Sequence, residues 1–182
     1  MDRRGKREII ISLLDFVVTL NLLSLPFYLI LHFKLEWRYL KIVEAFLVSK
    51  ILRIIGLNSS TIENLIVIGD RFYEVSWDST GWKSLYVFFS LVVSLPVSFR
   101  KKIKPLAVCL TLIFIFNLAR LVITIYLSYL YPQSFDFLHL GLWRWGSLMF
   151  LLLLWFIFLY FQKNNIGEAK NVVGLMYGRR KS

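Results

Sequence analysis

Long, nearly unbroken apolar stretches alternate with short polar segments along this chain. The first stretch, IIISLLDFVVTLNLLSLPFYLILH at 9–32, is long enough as a helix to cross about 30 Å of hydrocarbon. Asp15, Asn21 and Pro26 interrupt it and are expected to face protein rather than lipid. The next stretch, 39–57, reads YLKIVEAFLVSKILRIIGL. Arg38, Lys41 and Glu44 fall on one face at helical spacing there, with Lys50 and Arg53 near the opposite side. That charge density predicts a helix lying at, or dipping into, the interface rather than a simple span. The polar segment NSSTIENLIVIGDRFYEVSWDST follows, with β-like alternation around IVI and YEV. Three further spans are predicted at 82–99, 105–130 and 137–161. The basic stretch RKKIK (100–104) is expected to be the loop between the first two, and YPQSFD the tight connection between the last two.

Composition agrees with the pattern. The 182 residues are 58% hydrophobic and 17% aromatic, with mean hydropathy +0.65, above the apolar share of a soluble domain. The expected fold class is an all-α integral membrane protein. It has about four transmembrane helices, an interfacial or partly embedded helix at 39–57 and a short extracytoplasmic β-like segment. One domain covers 1–182, with a basic arm at 1–8 and a tail at 162–182. The formal charge of +11 does not point to nucleic acid, because the basic residues gather beside apolar runs: DRRGKR, RKKIK and GRRK. That is the positive-inside signature, helped by anionic lipids, and no basic-aromatic stripe is left over. With both ends and RKKIK cytoplasmic, DSTGWKS and YPQSFDFLH face outward across a multi-pass plasma-membrane protein. No A-x-A cleavage site follows the first apolar run, which is therefore expected to remain as a helix. The single cysteine, Cys109, lies inside an apolar run and forms no intramolecular disulfide.

Candidate chemistry converges on the outer side. Ser79 stands in DSTGWKS at the mouth of a helix, where it and Thr80 would also serve as ordinary caps. Arg120 lies within IFIFNLARLVITIYL, and an arginine in hydrocarbon calls for a partner or a wet cavity. Asn117, three residues earlier, shares its helix face. By helical rise Arg120 is about 15 Å from the end of its segment, but that segment is long enough for its outer end to protrude. His139 opens the last span. A hydroxyl, a histidine and a buried cation on one membrane face suit acyl transfer, as nucleophile, base and oxyanion stabiliser. Two histidines in different spans and no H-E-x-x-H supply no zinc set, and the G-x-S-x pattern of a rhomboid-type protease is absent. No cofactor is expected.

The order ILRIIGL, IVIGDRFYEVSWDSTGWKSL, FNLAR, FLHLG, over roughly 51–146, resembles the exosortase/archaeosortase family of membrane transpeptidases, closest to small archaeal forms. That family has Cys-(Ser/Thr)-Gly at a helix entrance, then Asn-x-x-Arg, then a histidine or arginine. Ser79, Thr80 and Gly81 match the first motif, Asn117 and Arg120 the second, and His139 the third, with Arg144 in reserve. The departure is Ser79, which stands where the family has its nucleophilic cysteine. It marks either an inactivated Cys→Ser form or a natural serine variant. The resemblance implies cleavage of exported proteins that end in a recognition motif, a hydrophobic helix and a basic tail, followed by transfer to an acceptor, expected to be a lipid. The contrasting class is a non-enzymatic carrier or assembly subunit, in which Asp15, Arg120 and Arg144 form structural ion pairs and Ser79 is only a cap.

Overall fold

Helix α1 (Arg3–His32) forms as the long apolar run predicts. The computed structural model describes residues 3–134 and 143–178. Asp15 and Asn21 are exposed on α1 rather than turned toward protein. Asn21 satisfies itself on its own helix, donating to the Val17 carbonyl at 2.8 Å. The helix is held on one side by Phe27, whose ring lies 5.3 Å from that of Trp82 and 5.5 Å from that of Tyr86. The Tyr86 hydroxyl also donates to the Leu23 carbonyl, three residues before Pro26.

Helix α2 (Arg38–Ile54) turns Ala45, Val48 and Leu52 into a buried stripe, the i, i+3, i+7 spacing of a helix packed on one face. Its charges mostly stay outside: Arg38 pairs with Glu63, and Lys41 with Glu36. The polar segment beyond it is a three-stranded antiparallel sheet, β1 (Ser59–Ile62), β2 (Leu65–Ile68) and β3 (Arg71–Glu74), in the order β1-β2-β3. The β-like pieces expected around IVI and YEV are thus β2 and β3, and β1 is an addition. Gly69, at φ +58°, opens the two-residue turn between β2 and β3, where the hairpin twist demands a left-handed residue. The Ser59 hydroxyl donates to the Ser49 carbonyl at 2.9 Å, fastening the sheet to α2.

The stretch expected as a span at 82–99 is a shorter helix, α3 (Trp82–Ser94). Its 13 residues reach roughly 20 Å at helical rise, less than the hydrocarbon thickness. Pro96 explains the early end, since the residue before a proline is driven out of the helical region; Leu95 is extended at φ −61°, ψ 135°. The basic stretch 100–104 is not a loop. It forms the opening turns of α4 (Phe99–Leu130), and the connection is only 95–98. Pro105 sits inside α4 without breaking it, because the carbonyl it deprives, that of Lys101, accepts from Gln162 Nε2 at 3.2 Å. Lys102 turns inward and its Nζ donates to the carbonyls of Val93 and Leu95 at 2.8 and 2.7 Å. It thereby satisfies two orphan acceptors at the C-terminus of α3.

A 3-10 turn at Pro132–Ser134 follows, and α5 (Trp143–Gly178) runs on through the segment expected as a tail. Ile10–His32, Phe99–Leu130 and Trp143–Gln162 are long and apolar enough to cross a membrane. Two apolar cores lie along α4. One joins Phe88 and Val92 of α3 and Leu106, Cys109 and Ile113 of α4 to Leu154 and Phe158 of α5. The other joins Leu121, Val122 and Ile125 to α2 and to Ile66, Ile68 and Val75 of the sheet region.

Candidate active site

Between the two cores, where α4 passes from one to the other, polar side chains meet. A 3-10 turn, Trp77–Thr80, delivers Ser79 and Thr80 into the interior, where Ser79 is 6% and Thr80 0% exposed. The stacked rings of Trp77 and Trp82, 5.2 Å apart, brace the turn from both sides. Gly81 joins it to α3 in the left-handed region at φ +69°. A β-carbon there would lie 2.7 Å from Asn117 Cγ. Conformation and space therefore both require glycine at this point.

Neither hydroxyl caps α3. The Thr80 hydroxyl donates to the Trp77 carbonyl at 2.8 Å, and Ser79 Oγ shares a hydrogen bond with Ser76 Oγ at 2.8 Å. The main-chain carbonyl of Ser79 is the point of convergence. Arg120 Nη2 donates to it at 2.6 Å and Asn117 Nδ2 at 3.1 Å. The i, i+3 spacing of Asn117 and Arg120 on α4 thus serves one acceptor. A 380 Å³ pocket runs from here along β3, with Ser79, Arg120, Leu121 and Tyr73 in its lining. Such a volume suits a small-molecule or short peptide segment.

Glu44 is the residue that sequence reasoning missed. It is 0% exposed on α2, which is not among the helices able to cross a membrane. Its Oε2 accepts from Asn117 Nδ2 at 3.3 Å. Burial pushes its carboxyl up to about 8, against the opposing influence of the Arg120 charge and the Asn117 hydrogen bond. Glu44 Oε1 and Arg120 Nε are both buried with no hydrogen-bond partner among the described residues. The available signal was a glutamate set beside the buried stripe of Ala45, Val48 and Leu52, but no sequence spacing links it to position 117.

The other candidates fall elsewhere. His139 lies outside the described residues. Arg144 is exposed near the start of α5, and Asp15 is exposed on α1. The ion pairs among the described residues, Arg38–Glu63, Lys41–Glu36 and Lys83–Asp78, include neither of them. Cys109 is buried in the α3–α4–α5 core, away from Ser79.

Chemically, the arrangement holds a planar cation against the residue that carries the candidate nucleophile, inside a pocket of substrate size. The family model for transmembrane exosortases matches residues 5–159. No curated protein and no solved structure matches the chain.

Proposed function

The chain belongs to the transmembrane exosortase family, and from that premise we propose that it is a membrane transpeptidase acting at the outer membrane face. Its substrates are exported proteins with a C-terminal recognition motif, a hydrophobic helix and a basic tail. The observation that carries this reading is the pair of hydrogen bonds from Arg120 and Asn117 to the Ser79 carbonyl, which joins residues matching two family motifs, with Ser79 and Arg120 lining one pocket. The substrate helix docks beside the spans and brings its scissile peptide to position 79. The side-chain nucleophile at 79 attacks the carbonyl carbon, and its proton passes to His139. Arg120 steadies the developing oxyanion. The C–N bond then breaks, His139 returns the proton to the departing amine, and an acyl-enzyme remains. An amine or lipid head group attacks the ester (a thioester in a cysteine form) and takes the acyl chain, restoring the nucleophile. Membrane lipids supply the surroundings and, where a head group attacks, the acceptor.

A serine hydroxyl is almost wholly protonated at neutral pH, whereas a cysteine is partly thiolate and intrinsically more nucleophilic. Ser79→Cys is therefore expected to restore or strongly raise cleavage of a co-expressed exported reporter bearing such a C-terminal segment, read as a mobility shift. A folded Ser79→Cys protein that leaves every such reporter uncut would remove position 79 from the reaction.

A further inference from the structure

The pocket at Ser79 has an unusual wall. One side is the strand β3, from Phe72 to Val75, and the other is the α4 face carrying Leu121, Thr124 and Ile125. β3 is the last strand of the sheet, so its far edge has no strand partner among the described residues.

The register says which backbone groups point that way. Val75 N–H donates to the Asn64 carbonyl at 2.9 Å, and Ile66 pairs with Tyr73 and Ile68 with Arg71. In an antiparallel ladder, hydrogen-bonded pairs alternate with non-bonded ones. Val75, Tyr73 and Arg71 therefore spend their backbone groups on β2, while Phe72 and Glu74 direct theirs to the open edge, into the pocket. Unpaired groups on an edge strand are a template for another extended chain. The edge is also held firmly, because Arg71 Nη1 donates to the carbonyls of Ser128 and Tyr129 at 3.3 and 2.8 Å, pinning the start of β3 to the far end of α4.

That pinning fixes a direction. β3 starts beside residues 128–129 of α4 and runs back toward Ser79, which is held to residues 117 and 120. A chain laid on its edge reaches Ser79 having come from the end of α4 that lies beyond the sheet-side core. We propose that β3 is the substrate-docking strand. The extended segment immediately before the scissile bond adds to it in parallel, bonding through the backbone of Phe72 and Glu74, and so presents its final carbonyl to position 79. The substrate's hydrophobic helix, which follows the scissile bond, then continues beside the apolar helices. Main-chain pairing supplies register without fixing sequence, while alternate substrate side chains face Leu121 and Ile125.

This proposal rests on the transpeptidase reading, and proline substitution separates the two. Proline on an edge strand deletes an N–H, and at an outward position it leaves the inner ladder intact. In the Ser79→Cys background, Phe72→Pro and Glu74→Pro are expected to lower cleavage of the reporter by about tenfold or more. Phe72→Ala and Glu74→Ala, which keep the N–H but trim the side chain, are expected to lose clearly less than their proline counterparts. Equal activity of the proline and alanine variants overturns the strand proposal alone, and no cleavage even with native β3 overturns the transpeptidase reading beneath it. Where proline lowers the melting temperature, the unaltered strand is tested instead. Synthetic peptides of the reporter's cleavage segment, N-methylated one amide at a time, are given to the reconstituted Ser79→Cys protein. Loss of cleavage at every second amide supports strand addition, and loss without that period overturns it.

Discussion

The two cores strung along α4 are built for different solvents. The one formed with α3 and α5 is made of apolar helices, and the outer surface of α5 is also apolar: Leu148, Met149, Leu152, Leu153 and Phe156 are all exposed. In lipid such faces gain nothing by hiding from water, and association rests on packing and on polar groups shared between helices. The other, under the sheet, follows soluble-protein rules. Tyr73 and Val75 face α2 and α4, while Phe72 and Glu74 on the opposite face stay exposed, the one-sided alternation of a sheet with an outer face left open. The polar cluster of Ser79, Asn117, Arg120 and Glu44 sits at the seam. There a carbonyl, an amide, a cation and an acid are sheltered from water, yet a pocket reaches Ser79 and Arg120 from the sheet side. On the proposed reading, an extended peptide arriving from outside and a hydrophobic helix arriving from within the bilayer would need both kinds of wall.

The largest expected difference concerns the seam itself. Arg120→Lys keeps the charge but loses the planar fork that binds the Ser79 carbonyl and that, in the proposed reaction, would steady the oxyanion. In the Ser79→Cys background, cleavage should fall about 100- to 1,000-fold, the scale of a lost oxyanion donor, with little change in melting temperature in detergent. An active lysine variant would make Arg120 a structural residue and leave the seam without its catalytic cation.

The cores themselves should then respond unequally. Ile66→Ala opens a void beneath a sheet that water helps to hold down, and should cost about 2–5 kcal/mol. Leu106→Ala, across the seam, should cost clearly less in lipid bilayers, because there the transfer from water is missing from the balance. Matched denaturation of both variants in the same vesicles checks this. Equal losses would mean that the two halves share one driving force.

The seam was legible only in part before the fold was known. Long apolar runs announced α1, α4 and α5, since length and hydropathy survive any tertiary context. The boundary between α3 and α4 was misplaced because Pro105 reads as a helix start and RKKIK as a loop. Only the fold reveals that Gln162 rescues the carbonyl Pro105 leaves free, and that Lys102 closes α3. Ser79, Asn117 and Arg120 stood out as polar groups in or beside apolar runs, and the motif resemblance tied them together. Spacing alone said that 117 and 120 share a face, not that both reach the same carbonyl. Glu44 stayed hidden because its role depends on contacts 73 residues away in sequence, which no helical period encodes.

Glu44 also gives the seam a pH signature. Its carboxyl is raised by burial from 4.5 to about 8, so between those values the unfolded chain has released a proton that the folded one keeps. Stability therefore falls as pH rises through that window and levels off above the folded value. In the Glu44→Gln protein, which retains an acceptor oxygen for Asn117, the decline in melting temperature between about pH 5 and 8 should flatten, by up to a few kcal/mol of the parent's slope. An unchanged slope would place Glu44 in contact with water and remove it from the sheltered cluster.

The smallest effect tests how the lipid-side core replaces a missing backbone bond. Pro105 has no N–H to offer the Lys101 carbonyl, and Gln162 Nε2 donates to it from α5 instead. Gln162→Leu should therefore cost about 0.5–1.5 kcal/mol, a typical net hydrogen bond. Because Gln162 Oε1 is itself buried without a partner among the described residues, the apolar replacement also relieves a burden, and the single variant alone is ambiguous. The double-mutant cycle is not. Pro105→Ala supplies the helix's own N–H to Lys101, so in that background Gln162→Leu should cost nothing or even stabilise. The coupling between the two sites should then be about 1 kcal/mol. Additive effects in bilayer denaturation would mean that α4 tolerates Pro105 unaided, and that α5 is held to it by apolar packing alone.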